Sequence, residues 1–175
     1  MEESARGRLL IAAPSLFDYF RRTVVLVIEH TPDGAMGLVL NRVSETPVAE
    51  AVPPLADLVE AEELVRVGGP VAPQAVVALG EFEDASEAGM RVVGDLGTLD
   101  PDAANESLVR LRVYAGYAGW SPGQLDGEIE EGAWIVAPAE PEDPFRGGDI
   151  WSEALARKGG GYRLLATMPS DPSLN

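Results

Sequence analysis

The 175-residue chain contains no cysteine. That excludes disulfides, thiolate nucleophiles and cysteine-ligated zinc sites. Histidine occurs once, as His30, so no pair of imidazoles can gather a metal ion. Lysine is as scarce, because only Lys158 among the 13 basic residues is not arginine. Positive charge is short overall: 13 bases face 29 acids, for a formal net charge of −16. That balance argues against holding nucleic acid or an anionic membrane through bulk charge. Long apolar runs are missing too. The longest aliphatic stretch, Val24–Ile28, is far too short to span a bilayer. The opening Met1-Glu2-Glu3-Ser4-Ala5-Arg6 lacks the basic segment and apolar run of a secretory leader. A cytoplasmic protein without membrane association is expected.

What is present suffices for one core. Hydrophobic residues make up 46% of a chain of single-domain length, so residues 1–175 are expected to form one domain. Charge is unevenly spread: residues 1–42 are neutral, and the whole negative excess lies after them. This acidic majority reads as a solvated face, or as a surface for a basic partner or a cation.

Nineteen glycines and 14 prolines cut the chain into short elements without a fixed-period repeat. Leu9–Ala13 and Thr23–Ile28 read as buried strands. Pro32-Asp33-Gly34 turns the chain and Gly37–Asn41 returns it, giving a hairpin-like core. Val48–Glu63 is broken by Pro53-Pro54 and fits two short helices. Val65–Val67, Ala75–Leu79, Arg91–Val93 and Leu96–Leu99 suggest further strands. Asp100-Pro101 has the form of a helix start, cap then proline, and predicts a helix to about Leu111. Arg112–Tyr117 and Ala133–Ala137 read as strands, Pro122–Glu131 as a helix and Pro138–Gly148 as an exposed loop. A last helix around Ile150, Trp151 and Leu155 stops at Gly159-Gly160-Gly161. Strands and helices mix without strict alternation, so a single α/β or α+β domain with a mixed sheet is expected.

One motif resembles catalytic machinery. Gly119-Trp120-Ser121-Pro122-Gly123 matches G-x-S-x-G between a strand and a helix. The residue after the serine is Pro122, however, which has no N–H to offer an oxyanion. The only histidine lies about 90 residues upstream rather than downstream. Ser121-Pro122-Gly123-Gln124 reads better as an S-x-x-Q capping box, with Pro122 at the first helical position. His30 reads as a hydrogen-bonded strand-end residue, the rival being a carboxylate-assisted metal site with Glu29 or Asp33. Gly68-Gly69-Pro70 lacks a phosphate-loop context and reads as a tight turn. Tyr114, Tyr117 and Trp120 read as core packing.

These segments resemble the YqgE/AlgH family of bacterial proteins over nearly the whole length. The resemblance rests on Gly7–Ala12, Phe20–Leu26, Glu29-His30, Gly34–Arg42 and Gly68–Val71. It is most specific at Gly116–Leu125, followed by Glu128, Gly132 and Trp134, and continues through Asp149–Leu155 and Pro169–Asn175. It implies a single α/β domain whose mixed β-sheet curls into a partial barrel flanked by helices. It brings no catalytic residues, and the AlgH label is that of a regulator of alginate production. If the sheet curls, polar residues at strand ends can converge, and Arg22, Glu29, His30, Asn41, Arg42, Trp120 and Gln124 are the candidates for one shared ligand-binding cleft. The expected function is that of a non-enzymatic binding or regulatory protein with a protein or small-molecule partner and no cofactor or metal. The rivals are a hydrolase-like enzyme around Glu29/His30, with or without an assisting metal, and a DNA-binding regulator, the latter disfavoured by charge.

Overall fold

Alternation in three short strands organises the molecule. In a computed structural model, which describes residues 4–16, 18–100 and 105–167, β1 (Arg8–Ala12), β2 (Val24–Thr31) and β3 (Gly34–Val39) form an antiparallel meander. Successive side chains on a strand face opposite sides. Leu9, Ile11, Leu26, Ile28 and Leu38 therefore enter one core, while Leu10, Ala12, Val25, Val27 and Val39 enter another on the reverse face. With both faces covered, the strands carry no polar side, which is why they appear as continuous apolar runs.

Seven further strands extend this centre: β4 (Val43–Pro47), β5 (Leu64–Val67), β6 (Val71–Phe82), β7 (Arg91–Val93), β8 (Leu96–Thr98), β9 (Leu108–Trp120) and β10 (Trp134–Pro138). Their spatial order is β10-β1-β2-β3-β9-β6-β8-β7, with β4 and β5 branching beside β9. All pairs are antiparallel except β5 with β9, so the sheet is mixed as expected. It curls until β7 approaches the start of β1, where a Cβ on Gly7 would lie 2.9 Å from the Val92 carbonyl oxygen. No hydrogen-bonded ladder joins β7 to β10 among the described residues, so the sheet is not closed into a barrel.

Helices are few and short: α1 (Val48–Ala51), α2 (Gln124–Glu130), α3 (Ile150–Lys158) and α4 (Tyr162–Leu165). The longest, α3, starts at Asp149, whose side chain accepts the Ser152 N–H at 3.1 Å. Arg157 and Lys158 complement the dipole in its last turn. It lays Trp151, Ala154 and Leu155 onto the first core, with burial of a large apolar side chain contributing about 1.5–3 kcal/mol. Trp151 Nε1 also donates to the Ala12 carbonyl at 2.8 Å. Helix α2 buries Leu125 on the opposite face. A third core, containing Val48, Leu55, Val65, Leu111 and Val113, fills the space beneath α1 and a 3-10 turn at Pro53–Leu58. No described helix is long and apolar enough to cross a membrane.

The structure changes several sequence expectations. The helix expected from Asp100 to Leu111 is not formed over 108–111, which open β9; residues 101–104 lie outside the described residues. Gly68-Gly69-Pro70 is a crossover rather than a tight turn, linking β5, parallel to β9, with the antiparallel β6. A Cβ on Gly116 would meet the Gly69 carbonyl oxygen at 2.4 Å, and Gly116 has φ +76, so backbone passes directly over backbone there. β4 and α4 were not anticipated.

Candidate functional site

The seven residues expected to share a cleft fall into two groups at opposite ends of β2. Near its start, Asn41 Oδ1 accepts the Val24 N–H at 3.0 Å and Asn41 Nδ2 donates to the Arg22 carbonyl at 2.8 Å. The amide thus substitutes for ladder hydrogen bonds. Arg22, in the left-handed region at φ 56, lies 4.1 Å over the Trp151 ring, and Arg42 lies 4.5 Å over Tyr19. Glu29, His30, Trp120 and Gln124 gather at the far end. Seven residues of extended chain, at about 3.3 Å each, put roughly 20 Å between the groups. The single cleft is therefore corrected to two separate clusters, because curling a sheet joins its edges and not the two ends of one strand.

The far cluster is densely hydrogen-bonded. His30 has a side chain only 7% exposed. Its Nδ1 accepts the Ala5 N–H at 2.8 Å, which leaves the ring proton on Nε2, facing Asp126 Oδ1 at 3.2 Å. Trp120 Nε1 and Trp134 Nε1 both donate to Glu128 Oε1 at 2.9 Å. Gln124 Nε2 donates to Glu128 Oε2 at 2.8 Å. The two indoles stand edge to face at 6.0 Å, with Phe20 against both. Beside them Glu29, Thr31, Asp33, Met36 and Trp120 line a hollow of about 240 Å³. Asp126 and Glu128 were not among the sequence candidates, although Gln124 and Glu128 stand at the i, i+4 spacing that places side chains together on a helix. No group of three His, Asp or Glu residues is placed to hold a metal ion among the described residues.

Ser121 takes a different part from the expected cap. Helix α2 begins at Gln124, and its N-cap is Gly123 at φ 75. Gln124 Oε1 still reaches back to accept the Ser121 N–H at 3.0 Å, as in a capping box, but Ser121 Oγ also donates to that oxygen, at 3.1 Å. The turn through Pro122-Gly123 delays the helix start and leaves Ser121 outside it. The serine hydroxyl is hydrogen-bonded to Gln124, not to His30.

A second set of polar groups surrounds the start of β9. Its pairing with β6 slips between Glu81–Arg110 and Phe82–Leu108. Val109 is the extra residue of this bulge, 54% exposed. It forms one wall of a groove of about 320 Å³ whose other wall includes Asp57, Leu58 and Glu60. Glu63, at its base, accepts Arg112 Nη1 at 2.5 and 2.7 Å and Arg66 Nη2 at 3.3 Å. Burial, with Arg112 nearby, holds the Arg66 pKa below its ordinary value. Tyr114 is fully buried nearby; burial pushes its phenol up, and among the described residues its hydroxyl has no hydrogen-bond partner.

Pro138–Gly148, expected as an exposed loop, is instead anchored. Asp143 is 2% exposed. It accepts Arg157 Nη1 at 2.7 Å, Arg157 Nη2 at 3.0 Å, Arg146 Nε at 2.9 Å and the Glu140 N–H at 2.7 Å. Glu142 pairs with Arg110, whose guanidinium also lies 4.1 Å over Phe145. Its acids and prolines made the segment look solvated; arginines from β9 and α3, distant in sequence, fold it down.

Comparison with known proteins places these features in a family. A family model described as AlgH-like matches residues 9–163. A UPF0301 protein of Streptomyces coelicolor is 42% identical over 186 aligned positions, covering 98% of this chain and 96% of the relative. A UPF0301 protein of Corynebacterium glutamicum is 39% identical, covering 99% and 98%. A crystal structure of the Corynebacterium diphtheriae protein DIP2367 superposes with a TM-score of 0.86 at 34% identity, covering 95% of this chain and 94% of that one. The solution structure of AlgH from Pseudomonas aeruginosa superposes with a TM-score of 0.70 at 27% identity, covering 97% and 98%.

Proposed function

The chain belongs to the AlgH-like family, and we propose that it is a non-catalytic binding protein with a regulatory role, engaging a protein partner through the groove beside Val109. The observation that carries this reading is the bulge itself. It turns Val109 out while Leu111 and Val113 of the same strand are buried, and it faces that valine across a groove from Leu58, an exposed apolar residue. Among the described residues, the side-chain carboxylates of Asp57 and Glu60 on the same rim make no hydrogen bond or ion pair. Apolar residues on both walls, with uncommitted carboxylates on the rim, suit a partner segment carrying apolar and cationic side chains.

Hydrogen bonding at the far cluster supports binding over turnover. Both His30 nitrogens are engaged, Glu128 takes three donors, and the Ser121 hydroxyl donates its hydrogen bond to Gln124 Oε1. A general base or nucleophile needs a free lone pair within reach of substrate, and these groups are committed to internal partners. Direct DNA binding stays outside the proposal because the net charge is −16.

The test is photo-cross-linking in cells, with a benzophenone amino acid placed at Val109 or, as a control, at the 75% exposed Leu164. The expected result is a discrete protein adduct from position 109 and none from position 164. No adduct from position 109, or the same adducts from both positions, would reject the groove as the binding surface.

A further inference from the structure

The curl of the sheet leaves a gap where its two edges meet. Among the described residues, β10 and β7 each have one hydrogen-bonded neighbour, and between them lies a cavity of about 530 Å³. Three ionisable side chains line it among the described residues, Arg6, Arg8 and Lys158, and all are cationic. In a chain with 29 acids and 13 bases that is a reversal of sign, since the groove at Val109 and the hollow at Glu29 both carry carboxylates.

The partners of two of these cations are unusual for this molecule. Arg66, Arg110, Arg112, Arg146 and Arg157 are each paired with carboxylates. Arg6 instead donates through Nη2 to the Arg91 carbonyl of β7 at 2.6 Å, and Lys158 through Nζ to the Val136 carbonyl of β10 at 2.6 Å. Among the described residues neither makes a carboxylate contact. These bonds cover carbonyls of the two edges and fix each cation in place. A guanidinium has five N–H groups and an ammonium three, so both retain donors directed at no anion. The rest of the lining includes Val93, Val136 and Ala139.

From this arrangement we propose that the seam between β7 and β10 binds a small organic anion, a carboxylate or phosphate ester with a short apolar body. The anionic head takes the spare donors of Arg6 and Lys158, and the body lies against the valine and alanine side chains. Charge-assisted hydrogen bonds to an anion are about twice as strong as neutral ones, which gives the site its sign preference. The seam lies apart from the Val109 groove, so the two proposals stand or fall separately.

The full-length protein, labelled with nitrogen-15, would be titrated with octanoate, octylammonium and octanol while the backbone amides of Gly7, Val93 and Ala139 are followed. Octanoate is expected to give saturable shifts at those amides, octanol weaker ones and octylammonium none. Lys158→Glu and, separately, Arg6→Glu should each weaken octanoate about tenfold or more, the worth of one charge-assisted bond, with the rest of the spectrum retained. Both residues are exposed, so neither substitution disturbs the core. No saturable octanoate shift, an equal response to octylammonium, or shifts confined to other regions would overturn the proposal. Co-sedimentation with phosphatidylglycerol vesicles without octanoate binding would assign these cations to a lipid surface, and would overturn it equally.

Discussion

Replacing Asp143 by Asn tests whether the acidic segment is a structural latch. The carboxylate is 2% exposed and accepts four hydrogen bonds, three of them from Arg146 and Arg157. Breaking a buried ion pair from one side costs about 3–5 kcal/mol. Here the two arginines are roughly a quarter exposed and keep Glu140 as a partner, so about 2–4 kcal/mol is expected at pH 7. Burial raises the Asp143 pKa, but the bonds from Arg157, the Glu140 N–H and Arg146 outweigh it and hold the value below the ordinary 3.8. A depressed folded-state pKa means stability that is fully present above the unfolded value and is lost as pH falls through the folded one. The gap between wild type and Asp143→Asn should therefore be constant near neutrality and shrink below about pH 4. Urea unfolding of both proteins at pH 7 and at pH 3 measures it. A gap under about 0.5 kcal/mol at pH 7, the usual range of a surface substitution, or one that does not narrow in acid, would refute the latch.

Two further substitutions probe the frame. Gly116→Ala should destabilise by about 2 kcal/mol or more, because it combines a positive φ with a Cβ 2.4 Å from the Gly69 carbonyl; a thermal midpoint equal to wild type would contradict the backbone crossing. Trp151→Phe removes the bond to the Ala12 carbonyl and leaves that buried acceptor unpaired. The expected loss is about 2–3 kcal/mol, or about 4–12 °C in midpoint at this chain length, read by calorimetry.

The parts of the fold legible in the sequence are those where local pattern and tertiary setting agree. β1, β2 and β3 are short, apolar on both faces and bounded by proline or glycine, and each lies within a residue or a few of its expected place. The segment before Arg112 was misread for a specific reason. Leu108 and Leu111 stand at i, i+3, which fits one face of a helix, and Asp100-Pro101 supplies a helix start. In a regular strand these leucines would face opposite sides, but the bulge at Val109 shifts the alternation by one and sends both to the third core. A bulge is invisible to periodicity because it is a break in the period. At the far cluster, Glu29, His30, Trp120 and Gln124 were legible by residue type and by their positions at strand ends or at the start of the following helix. Their convergence with Arg22, Asn41 and Arg42 failed because it depended on which ends of the sheet meet. The Val109 groove and the seam depend on a bulge and on long-range curl, and neither leaves a mark in the local sequence.

On the proposed function, binding runs through the Val109 groove and the His30–Glu128 cluster serves the structure. Native mass spectrometry of the full chain from its own cells, as wild type, Val109→Glu and His30→Ala, tests it most directly. The prediction is a protein-sized added mass on wild type and on His30→Ala, lost with Val109→Glu. An added mass that survives Val109→Glu and disappears with His30→Ala, both variants remaining folded, would contradict it and move function to the far cluster.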